Sequence, residues 1–151
     1  MIATHGNEDV LTTCDGETRQ RYEPGELFGH DLKDVHFAFV SACYSAAGAD
    51  GQRTIDKLVA AGCDVAIGFN AEVDIDESQA FEKDLVLRLI RRGSPIEKAA
   101  RDGAHAFPSD KFVRGTASSP INQDGVVQVR RAPGIPEDES LWPPRYGCST
   151  N

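Results

Sequence analysis

Two short segments of this 151-residue chain hold side chains able to cooperate in nucleophilic chemistry. One is His5-Gly6 near the N-terminus; the other is Cys43, in Ser41-Ala42-Cys43-Tyr44-Ser45. A thiol becomes a strong nucleophile when a neighbouring base or cation favours the thiolate, and an imidazole does both. His5 is therefore the candidate general base and acid, and Cys43 the candidate nucleophile. The backbone N–H groups of Gly6 and Cys43 are the candidate oxyanion hole, fixed dipoles aimed at charge that develops on a carbonyl under attack. Gly6 suits that position because a residue without Cβ lets a substrate carbonyl approach closely. The competing reading makes Cys43 a small, inert hydrophobe at a strand end, as free cysteines commonly are. Geometry decides between them, since both residues must reach one edge of one sheet.

Residues 35–40 form a short, nearly continuous apolar run, which reads as a strand buried on both faces inside a parallel sheet. Cys43 follows its C-terminal end, the side of open α/β sheets where ligands bind. Residues 1–4 are a stub of strand that ends at His5. Were that stub the parallel neighbour of 35–40, His5 and Cys43 would emerge side by side. A sheet seldom opens on so short a strand. The expectation is therefore that N-terminal strands of a larger fold are missing from this chain or come from a partner domain or chain. Asp15-Gly16 predicts a hairpin of strands at 10–14 and 17–22. A helix is expected at 52–61, with Ile55, Leu58 and Val59 on one face and Gly62 as its stop. A second buried strand at 64–69 completes a βαβ unit.

The clearest helix is 77–92, where Phe81, Leu85 and Leu89 repeat at four; Asp76 is its expected cap and Gly93 its stop. Ser94-Pro95-Ile96-Glu97 opens another helix, running to about 106. One more strand is expected at 126–129. The domain should span 1–130, and the Pro-rich tail, 131–151, should be irregular or disordered.

The order of these features resembles a known family. Ala3-Thr4-His5-Gly6, then a hairpin, then a hydrophobic strand ending Ser41-Ala42-Cys43-Tyr44-Ser45, is similar to the caspase-like cysteine peptidase superfamily, most of all its CHAT branch. The likeness extends through Gly62-Cys63-Asp64-Val65-Ala66-Ile67-Gly68-Phe69 and the helix pair within 78–107. It implies an α/β, three-layer, caspase-like sandwich with a mostly parallel sheet and a β-hairpin inserted after the His strand. It also implies peptide-bond hydrolysis through a thioester, with His5 and Cys43 as the dyad. The alternative is a catalytically inactive caspase-like module that acts as an interaction scaffold. Caspases proper carry Gln-Ala-Cys-x-Gly, whereas Ser41 and Ser45 flank the cysteine here.

Ser41, Asp50 and Asp74 are the candidate substrate-binding residues, the two acids because an acidic group at the site's rim would select a basic residue. The simpler reading of the acids at Glu72, Asp74, Asp76 and Glu77 is that they complement a helix N-terminus. Cys14 and Cys63 read as ordinary hairpin and buried positions, His36 as a packed or hydrogen-bonded strand histidine, and Tyr44 and Ser45 as the pocket rim. The four cysteines have neither zinc-site spacing nor the density of a disulfide framework, so reduced thiols and no metal are expected. No cofactor is expected either, because Gly-x4-Gly-Lys-Ser/Thr and Gly-x-Gly-x-x-Gly are absent; the lack of Gly-x-Ser-x-Gly disfavours a serine hydrolase. A net charge of −8 argues against a nucleic-acid partner. No apolar run suits a membrane span, and no signal-peptide pattern is visible, which points to a cytoplasmic location. The expected partner is a polypeptide substrate.

Overall fold

The structure, a computed structural model, describes residues 32–106 and 126–141 in full and residues 2–3, 5–6, 11–15 and 18–22 as backbone strands. Its strands are β1 (Ile2–Ala3), β2 (His5–Gly6), β3 (Leu11–Asp15), β4 (Thr18–Tyr22), β5 (Phe37–Ser41), β6 (Val65–Phe69) and β7 (Val127–Arg131). Its helices are α1 (Thr54–Ala60), α2 (Ile75–Arg92) and α3 (Ile96–Ala106). The fold is mixed α/β. One sheet has the order β1-β5-β6-β7, with β1, β5 and β6 mutually parallel and β7 antiparallel at the edge. A second, antiparallel sheet of order β2-β3-β4 is inserted between β1 and β5. Asp15 pairs with Thr18 across the expected hairpin.

Strand periodicity divides the core into two layers, because successive side chains point to opposite faces of the sheet. Val65, Ile67 and Phe69 of β6 face α2 and α3, joining Phe81, Leu85, Leu89, Ile96, Ala99 and Ala100. Ala66 and Val40 face the other way, onto Ile55 and Leu58 of α1. Helices therefore cover both faces. Phe39, Phe69 and Phe81 meet in edge-on and tilted contacts, with ring centroids 5.6 to 5.9 Å apart, and so fasten α2 to the two parallel strands.

The fully buried strand is β6, not the 35–40 segment; in β5 only Val40 is fully buried. The reason is position: β6 lies between two five-residue strands, whereas β5 has the two-residue β1 on its other side. Between them, α1 ends in a Schellman motif: the Cys63 N–H reaches the Leu58 carbonyl and the Gly62 N–H that of Val59. Gly62 takes φ 114, and a Cβ there would stand 2.7 Å from the Lys33 nitrogen, so glycine is required twice over.

The long helix begins at Ile75, two residues before the expected start, and its cap is Asp74 rather than Asp76. Asp74 is extended (φ −69, ψ 140), and its carboxylate accepts from the Asp76 N–H. Gly93, in the left-handed conformation, stops α2 as expected. The described part of the tail, through Leu141, is irregular but not free. Ile135 and Leu141 pack on the α2/α3 core, the Ile96 N–H donates to the Glu139 carbonyl at 2.8 Å, and Ser140 reaches the Gly93 carbonyl. No helix among the described residues is long and apolar enough to cross a membrane.

Candidate active site

The parallel pairing of β1 with β5 sets the site. Ile2 aligns with Val40 and Ala3 with Ser41. His5 and Cys43 each stand two residues past the Ala3–Ser41 pair, beyond the C-terminal ends of their strands. The backbone of His5 and Gly6 then turns into β2, where it pairs with Thr12 and Leu11. The His5 side chain lies outside the described residues.

Cys43 is partly exposed in the turn after β5. Its Sγ lies against residue 73, accepting from the Val73 N–H at 3.4 Å and lying 3.7 Å from the Val73 carbonyl. The N–H groups of Ala42, Tyr44, Ser45 and Ala46 all donate to backbone carbonyls. Among the described residues, no carbonyl accepts from the Cys43 N–H.

The turn that presents this sulfur and this N–H is unusual. Tyr44 has φ 58, a left-handed conformation that costs a non-glycine residue on the order of 1 kcal/mol. Surrounding bonds hold it there. The Tyr44 N–H donates to the Ala71 carbonyl and the Ala46 N–H to that of Phe69. Ser45, expected at the rim, is instead fully buried beneath it, at 0% exposure. Its hydroxyl donates to the Val40 carbonyl at 3.1 Å and accepts from the Phe69 N–H at 3.0 Å, tying the ends of β5 and β6 together. Space for that hydroxyl exists because residue 68 is glycine: a Cβ there would meet the Ser45 Oγ at 2.6 Å and Ile55 at 2.9 Å.

The other predicted site residues have internal partners. Ser41 shares a 2.9 Å hydrogen bond with Ser78 of α2. Asp74 caps α2, one residue beyond the Val73 that touches the sulfur. Asp50 is 84% exposed and pairs with Arg53 at 2.8 Å. That arginine leads to a group the sequence reading missed. Asp56 of α1 is buried, and its carboxylate accepts from Arg53 Nε at 2.7 Å, Arg53 Nη2 at 2.9 Å and the Gly51 N–H at 2.8 Å. Arg130 of β7 adds a 3.3 Å ion pair. Burial alone would push the Asp56 carboxyl up, but the bonds from Arg53 and Gly51 and the two guanidinium charges hold it below the ordinary range. The only hint in the sequence was an arginine three positions before an aspartate.

Elsewhere, His36 Nδ1 lies 2.7 Å from the Asp64 carboxylate at the opposite end of β5 from Cys43; it is hydrogen-bonded as expected but stands one residue before β5 rather than within the strand. Cys63 is buried, as expected, and burial pushes its thiol up to about 11. Cys14 pairs with Arg19 across the hairpin; Cys148 lies outside the described residues. Among the described residues, no group of three or more His, Cys, Asp or Glu side chains is placed to hold a metal ion. No protein-family model matches the chain, and no curated protein is significantly similar to it.

Proposed function

We propose that the chain is a caspase-like, CHAT-type cysteine endopeptidase domain, with Cys43 as nucleophile and His5 as general base. The observation that carries this reading is the parallel register of β1 and β5, in which Ala3 aligns with Ser41 and His5 and Cys43 follow at equal offsets. The absence of a carbonyl partner for the Cys43 N–H among the described residues supports it.

In this reading the His5 imidazole takes the thiol proton as Cys43 Sγ bonds to the scissile carbonyl carbon. The negative charge on the carbonyl oxygen is met by the Gly6 and Cys43 N–H groups. The tetrahedral adduct then collapses to a thioester, and the departing amine takes the proton from imidazolium. Water, deprotonated by the same imidazole, attacks the thioester, releasing the acid and restoring the thiol. Ser41, Asp50 and Asp74 shape the rim, since each already holds an internal partner.

The test is labelling with tripeptidyl chloromethyl ketones ending in lysine, aspartate or phenylalanine, with the modified cysteine mapped by mass spectrometry. Cys43 should be the thiol labelled, and His5→Ala should slow labelling by on the order of a hundredfold. Equal labelling of the accessible thiols, or no effect of His5→Ala, would favour the non-catalytic scaffold. One feature speaks for that alternative: α2 exposes Ile75, Val86, Leu87 and Ile90.

A further inference from the structure

Among the described residues around Cys43, Ser45 is the one whose side chain joins the nucleophile's turn to the ends of both β5 and β6. Its hydroxyl spends both its donor and one acceptor site on backbone, linking Val40, at the end of the strand that leads to Cys43, to Phe69, at the end of β6. Its own carbonyl accepts from the Ile55 N–H at 3.3 Å, so α1 is joined to the same point. The residue between Ser45 and Cys43 is Tyr44, held at φ 58. Such a backbone conformation persists only where its surroundings over-determine it. Its effect is to turn the N–H groups of Tyr44 and Ser45 onto internal carbonyls while that of Cys43 has none among the described residues.

We propose that Ser45 is a positioning residue for the reaction: by bolting the ends of β5 and β6 together it locks the Cys43–Tyr44 turn and aims the Cys43 N–H at the oxyanion. This rests on Cys43 being the nucleophile. Ser45 touches no substrate. Gly68 completes the device, because any Cβ at that position would occupy the space of the hydroxyl.

The experiment compares two electrophiles on the full chain. A tripeptidyl chloromethyl ketone alkylates through a tetrahedral adduct whose oxygen carries negative charge, so its rate depends on the oxyanion donors. Iodoacetamide reacts by direct displacement of iodide from its methylene carbon and needs only the thiolate. The ratio of the two rates at Cys43 therefore reads the aim of the N–H group and not the stability of the fold. Ser45→Ala should lower that ratio by about tenfold or more. Ser45→Cys, which fills the same space with a weaker hydrogen-bonding group, should fall between, with fragmentation assigning the label to Cys43; it carries the comparison where Ser45→Ala does not fold. Leu89→Val, a core substitution in α2 on the opposite face of the sheet, should lower the melting temperature and leave the ratio within about twofold. An unchanged ratio in both Ser45 variants, with a strong ketone preference in the unaltered chain, would overturn the positioning role alone. No ketone preference in the unaltered chain would overturn the nucleophile assignment and this role with it.

Discussion

Cys43 and Cys63 show how placement decides what a thiol can do. Both follow short apolar stretches, yet one is partly exposed beyond a strand end and the other is sealed under α1. The Cys63 thiol, pushed up by burial, donates to the Val65 carbonyl and stays protonated at neutral pH. We expect iodoacetamide at about pH 8 to modify Cys43 in the folded protein and Cys63 only in denaturant. Peptide mapping checks this, and comparable native-state labelling of the two would contradict it. Because the folded-state value lies above the unfolded one, the contribution of Cys63 to stability is complete below the unfolded thiol value, about 8.5. It is lost as pH rises toward about 11. Gly68 is the second residue-scale case. Gly68→Ala should cost about 2 kcal/mol through overpacking against Ser45 and Ile55, read as a lower urea midpoint at unchanged slope. A glycine inside an apolar strand announces a close approach; that the approaching group is a serine hydroxyl from another segment is visible only after folding.

At the scale of elements, hydrophobic spacing and turn signals foretold every described helix and every described strand except β2, and foretold existence better than ends. His5–Gly6, expected to lead into a turn, instead pairs with β3. Phe81, Leu85 and Leu89, repeating at four, do line the buried face of α2. Val86 and Ile90, which flank that stripe in sequence, point outward instead, because only the stripe meets the sheet. The start of α2 was misplaced because four acids in six residues offered several possible caps, and the extended backbone at Asp74 chose among them. Asp74→Ala should therefore cost about 1 kcal/mol in denaturation, while Asp76→Ala should cost less than half as much. Equal costs would return the cap to Asp76.

For the molecule as a whole, the buried Asp56 carboxylate joins α1, the Gly51 loop and the edge strand β7 through Arg53 and Arg130. Removing its charge leaves one well-buried guanidinium without its main partner, so Asp56→Asn should lose on the order of 2 to 3 kcal/mol near neutral pH. The sign with pH follows from its lowered folded-state value: the stabilisation is present above the ordinary carboxylate range and disappears as pH falls through the depressed value. The gap between the unaltered chain and Asp56→Asn, measured as urea midpoints across acid pH, should therefore close. A constant gap would show that the network's charge is irrelevant. The tail belongs at this scale too, since its prolines foretold irregular backbone but not the docking of Ile135 and Leu141 on the core.

Local composition was enough to announce an α/β chain, its hairpin, the two adjacent parallel strands and a cysteine at the end of one of them. Those features depend on side-chain period and turn chemistry, which act over a few residues and can be read along the chain. The buried Ser45 link, the sulfur resting on Val73 and the Asp56 ion network join residues brought together by folding. Only the packed sheet and its helices decided them, because no period or motif records which distant backbone groups a side chain will meet.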